Sequence, residues 1–212
     1  MNRRQKAALI ATTLDRIFPK VDATLGHDTP FTLLVAVMLS AQSTDAMVNR
    51  VTPALFRAAR TPAAMASVPL GTLTALIRPC GLAPTKSRNL RAMSRMLVTR
   101  FNGKVPRTFP ELELLPGVGH KTASVVIGFA FGKPAFPVDT HIHRLAWRWG
   151  LSNGSDVKKT EADLKKLFPP EHWMRRHLQF IFFGRAYCPA RNHRPEQCPL
   201  CSVVGVRTRL RH

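Results

Sequence analysis

Lys121 and Asp139 are the two residues best placed for covalent chemistry. Lys121 follows Leu114-Leu115-Pro116-Gly117-Val118-Gly119-His120. A short helix running into Pro-Gly-x-Gly, with a new helix starting at once, is a hairpin of two helices. Its glycines allow a tight turn, and its second helix begins with unpaired backbone N–H groups that suit an anion such as a phosphate. Gly117, Val118, Gly119 and His120 are the candidate contacts. A cation in the first helical turn opposes the helix dipole, which favours the neutral amine a nucleophile needs. The same position also suits a plain phosphate contact. Eighteen residues on, Phe136-Pro137-Val138-Asp139-Thr140-His141 places a carboxylate at another helix start. Asp139 suits an N-cap, assisted by Thr140. Beside a lysine nucleophile it would also stabilise positive charge or accept a proton. His141 suits either a phosphate contact or a structural cap.

A second group lies near the C-terminus. Three of the four cysteines, Cys188, Cys198 and Cys201, fall within fourteen residues, with His193 between the first two. That clustering points to a metal site over a disulfide framework.

The elements that must hold these residues read as helices. Amphipathic periodicity predicts helices over 3–18, 44–58, 70–78, 86–100, 109–115, 120–131, 140–149, 156–168 and 171–184. Thr61-Pro62 opens a further short helix. Residues 31–39 are apolar all round, so that helix is expected at the centre of a core. Residues 80–84 read as a loop, and the tail from Cys188 shows little periodicity. No stretch alternates as a strand does. An all-α fold follows.

Charge narrows the class of partner. Lys and Arg number 32 against 12 Asp and Glu, a net charge of +20. Between Ala46 and Pro110 there are eleven basic residues and no acidic one. Such a surface attracts polyanions, nucleic acid above all. A hydrophobic fraction of 45% supports a real core and argues against disorder. The longest apolar run, Phe31–Leu39, is nine residues, short of the roughly twenty that span a membrane. The expectation is a cytoplasmic, nucleoid-associated monomer with no membrane partner.

Together, Leu115-Pro-Gly-Val-Gly-His-Lys-Thr-Ala123 and Val138-Asp-Thr-His141 make the sequence resemble the endonuclease III family of helix-hairpin-helix DNA glycosylases, with Ser40-Ala-Gln-Ser-Thr-Asp45 as a third matching segment. The resemblance covers about residues 3–201. It implies a two-lobed fold: a six-helix barrel over 22–132, and a second helical lobe of 1–21 and 133–212 ending in a cysteine loop. DNA and the active site would occupy the cleft, with Lys121 and Asp139 on opposite walls. The implied activity is that of a bifunctional DNA glycosylase and apurinic/apyrimidinic (AP) lyase acting on oxidised pyrimidines in damaged double-stranded DNA. Lys121 would attack the sugar C1′, Asp139 would stabilise charge, and β-elimination would nick the strand. Gln42 would fill the gap left by the flipped base, and Leu82 would be the wedge that splits the stack.

Two features depart from the family pattern. Ala83 and Pro84 stand where a polar reading loop usually follows the wedge. The cysteine loop is C-x6-C-x2-C-x5-C in the family; here Cys188 is followed by nine residues and then Cys198-x2-Cys201, with Arg207 at the position of the fourth cysteine. The resemblance implies a [4Fe–4S] cluster on Cys188, Cys198 and Cys201 with a fourth, non-Cys ligand such as His193, and that is the expectation; spacing alone favours one zinc on Cys188, His193, Cys198 and Cys201, and the third alternative is no metal. Rival functions are an oxidised-guanine or mismatch-specific glycosylase of the same superfamily and a catalytically inactive DNA-binding relative.

Overall fold

The computed structural model describes residues 1–210. It is helical, with no β-strand among the described residues. In chain order the helices are α1 (Arg3–Ile17), α2 (Pro30–Ser40), α3 (Asp45–Ala58), α4 (Pro62–Ser67), α5 (Leu70–Ile77), α6 (Ala83–Phe101), α7 (Phe109–Glu113), α8 (His120–Phe131), α9 (Thr140–Arg148), α10 (Val157–Leu167), α11 (Trp173–Ala186) and α12 (Cys201–Val204). The chain divides into two compact units: Ala23–Lys133, and Met1–Asp22 together with the chain from Pro134 onward.

The Ala23–Lys133 unit holds α2–α8, and α2 is its centre. Every residue from Phe31 to Leu39 is buried. Such a helix is stable only if its neighbours cover all its sides, and α3, α6 and α8 pack against it. Its start is fixed locally. Thr29 and Thr32 form reciprocal capping bonds, and Pro30 occupies the first turn, where its missing N–H costs nothing. The same reasoning corrects the expected start of α6. The sequence places Pro84 in a loop, but proline in a first turn opens a helix, and α6 begins at Ala83.

The other unit packs α1, α9, α10 and α11 around Trp149, which is fully buried. Phe180 and Phe183 meet the indole edge-on at 5.1 and 5.5 Å between ring centroids. Ile10 and Leu14 of α1 join this core. A buried Arg176 on α11 clamps Asp15 of α1 through two bonds of 2.7 and 2.8 Å, and it holds that carboxyl down at about 2. Sequence periodicity showed α1 and α11 but gave no sign of this ion pair. A short 3-10 turn, Pro170–His172, precedes α11; the helix was expected from 171.

Candidate functional site

The predicted hairpin is present. Its arms are α7 and α8, and the turn between them runs over residues 114–119. The two glycines have different work. Gly117 has φ +80, and a Cβ there would meet the Asn89 side chain at 2.8 Å and Met38 at 2.9 Å. No other residue fits without displacing both. Gly119 is extended (φ −95), and a Cβ there would meet nothing within 4 Å. Its lack of a side chain keeps open the space before α8, and no side chain caps that helix. Val118 is spent on the turn itself: its N–H bonds Leu115 O at 3.0 Å and its side chain is buried. His120 closes the hairpin, pairing with Glu113 at 2.7 Å and stacking on Phe109. Lys121 is the second residue of α8 and is exposed.

Asp139 is the N-cap of α9, with Oδ1 accepting the Ile142 N–H at 2.9 Å. It is half-buried, and Thr140 beside it is exposed. His141 lies one residue into α9. Its Nδ1 is 3.1 Å from Arg144 Nη2. A guanidinium only donates, so Nδ1 accepts and Nε2 carries the ring proton. Burial pulls the His141 imidazole below its ordinary pKa range, partly offset by the Asp139 charge. Gly184 on α11 lets this group pack close, since a Cβ there would stand 3.1 Å from His141 Nδ1.

Gln42 and Leu82 share an unusual backbone. Both take left-handed conformations, with φ +54 and +49, which are uncommon outside glycine. Gln42 is exposed, and Leu82 is 55% exposed, so neither serves the core. Strained residues persist only where their surroundings hold them, and here the holder is Lys86. Its Nζ donates to Leu39 O at 2.8 Å, to Cys80 O at 2.8 Å and to Ser43 Oγ at 2.9 Å. Ser43 Oγ in turn bonds Cys80 O. An ammonium has three donors, and all three tie the 39–43 segment to the 80–82 segment. Lys86 was counted among eleven surface cations; it is buried, and burial lowers its pKa. The basic surface over 46–110 therefore has ten. Lys86→Met keeps the stem but strands Leu39 O, while Cys80 O keeps its bond from Ser43 Oγ, so the Ala23–Lys133 unit should lose about 1–3 kcal/mol of stability. Thermal or urea unfolding measures this, and a change within about 0.5 kcal/mol would show that Lys86 does not hold the two segments.

The four candidate metal ligands do converge. One donor atom each from Cys188, His193, Cys198 and Cys201 lies within 4.8 Å of all the others. Cys188 Sγ and Cys201 Sγ are 3.7 Å apart. All three thiols are buried, and neither ring nitrogen of His193 finds a hydrogen-bond partner. So close together, the thiols do not ionise alike: bonds from Cys188 and Cys201 hold Cys198 low, while the Cys201 thiol is pushed up by the other two. Donors reach the sulfurs from outside, with Arg148 Nη1 at 3.2 Å from Cys188 Sγ and Trp149 Nε1 at 3.4 Å from Cys201 Sγ. These four residues can hold a metal. Cys80 is not among them.

A helix-hairpin-helix with a lysine in the first turn of its second helix, joined to a helical unit ending in a cysteine loop that could hold a metal, defines a recognisable class. The chain belongs to the HhH-GPD superfamily of base excision DNA repair proteins, whose family model matches residues 35–170. It is 45% identical to endonuclease III of Bacillus subtilis over 194 residues, covering 90% of this chain and 89% of the relative. It is 39% identical to endonuclease III of Escherichia coli, with 93% of each chain covered. A solved non-covalent endonuclease III–DNA complex superposes with a TM-score of 0.93 at 42% identity over the whole of both chains. A trapped endonuclease III–DNA covalent intermediate gives 0.90 at 44% identity, covering 94% of each.

Proposed function

We propose that the chain is a DNA glycosylase and AP lyase of base excision repair, and that it removes oxidised pyrimidines through a Schiff base on Lys121. The observation that carries the reading is the placement of Lys121: an exposed amine in the first turn of α8, behind a glycine-capped helix start with open space before it. Backbone N–H groups at such a start hold a phosphate without reading a base. Arg88, Arg91, Arg95 and Arg100 line one groove with Pro116 of the hairpin, extending the region that attracts phosphate. The relative trapped as a covalent intermediate with DNA supports a covalent route.

In this reading the target nucleotide is flipped out, Gln42 fills its place and Leu82 wedges the stack, which offsets a few kcal/mol of unstacking. Lys121 Nζ bonds to the sugar C1′ as the bond from C1′ to the base breaks. The role that the family resemblance implies for Asp139 is to stabilise the positive charge that develops on the sugar or to accept a proton. Ring opening gives an imine, and loss of the C2′ proton expels the 3′ phosphate. Thr140 and the Nε2–H of His141 contribute phosphate contacts at the start of α9. None of these steps requires a metal.

Duplexes carrying thymine glycol, 8-oxoguanine, uracil or an abasic site test the reading. Base release with strand nicking is expected at thymine glycol and nicking at the abasic site. Preferred release of 8-oxoguanine would move the protein to the oxidised-guanine branch, and binding without release or nicking would make it an inactive relative.

A further inference from the structure

We infer that the C-terminal loop holds one tetrahedral metal ion, of the zinc type, on Cys188, His193, Cys198 and Cys201, in place of the iron–sulfur cluster that the family resemblance implies. Ligand spacing distinguishes the two. Around one zinc, thiolates at about 2.3 Å in tetrahedral geometry stand about 3.8 Å from each other. The Cys188–Cys201 separation is 3.7 Å, and no pair among the four donors exceeds 4.8 Å. In a cubane each ligand binds a different iron at a different corner, so the ligands stand further apart by the separation of the irons. The four donors here are too close for that arrangement.

The donor chemistry agrees. His193 is half-buried, with both ring nitrogens out of contact with solvent and neither hydrogen-bonded, a costly state that a metal bond relieves. Nitrogen and sulfur together form an ordinary zinc set. Cys198-x2-Cys201 has the spacing of a zinc-binding turn, and the Cys201 N–H already points to Cys198 Sγ at 3.4 Å. Three thiolates, a neutral imidazole and a divalent ion leave one net negative charge. The buried Arg148 guanidinium, bonded to Cys188 Sγ, faces it. Arg207, where a fourth cysteine would fall, lies on an exposed turn outside the group. The ion's role is structural. The segment between Cys188 and α12 has no regular element longer than the three-residue turn Pro195–Gln197, and a metal supplies folding free energy where packing is thin.

The test is metal analysis of the full chain purified without oxygen from cells supplied with both iron and zinc. One zinc per chain and a colourless protein are expected. Cobalt(II) exchanged into the site should give visible bands of a tetrahedral ion with thiolate charge transfer. His193→Ala should change those bands and weaken zinc binding by more than the roughly 10–100-fold typical of losing an outer-shell partner. A brown protein with about four irons per chain and absorbance near 400 nm would overturn the inference in favour of the cluster. Absence of both metals, or a cobalt spectrum unchanged in His193→Ala, would overturn it as well. These readouts do not involve Lys121, so they stand or fall apart from the glycosylase reading.

Discussion

Lys121→Ala is expected to lower single-turnover strand nicking by on the order of 10³-fold or more, because it removes the proposed nucleophile and with it the covalent route. Affinity for DNA should fall far less. The hairpin turn is held by contacts of other residues: Gly117 sits against Asn89 and Met38, Val118 N–H bonds Leu115, and His120 pairs with Glu113. Lys121 is exposed, so truncation opens no cavity and folding should be intact. The informative result is therefore a split, with chemistry lost and binding largely kept. Loss of both in proportion would make Lys121 a phosphate contact.

Asp139→Asn should reduce base excision by about 10²–10³-fold, the usual scale for removing one preorganised electrostatic contact to a transition state. Asparagine caps helices about as well as aspartate, so the bond to the Ile142 N–H is kept and α9 should start where it does now. Asp139→Ala separates cap from charge, costing about 1 kcal/mol of stability in addition. If Asp139→Asn excises at the wild-type rate while Asp139→Ala merely melts earlier, the residue is a cap and nothing more.

Much of this was legible in the chain itself, for physical reasons. The Pro-Gly-x-Gly turn marks the hairpin because only glycine fits at Gly117. The run Phe31–Leu39, apolar but for Thr32, reads as a helix covered on every side. Asp139 reads as a helix start because a carboxylate there meets free N–H groups. What escaped the sequence was contact between distant positions. Lys86 looks like any other cation in a basic stretch; only the fold brings Leu39, Ser43 and Cys80 to it. Arg148 and Arg176 are likewise charged residues that the fold buries. The cysteine loop shows no periodicity, because its order comes from convergence of four side chains and not from a regular helix or strand. Its spacing favours a single ion where the family resemblance implies a cluster, and the inference of a single ion rests on distances between donors that only the fold supplies.

The central claim is that Lys121 forms the covalent bond to DNA. The direct measurement is borohydride trapping of the wild-type protein on a thymine glycol duplex, followed by digestion and mass mapping of the modified peptide. One adduct is expected, on the peptide that contains Lys121, and none with Lys121→Ala. An adduct on another amine, or nicking without any trapped species, would contradict it.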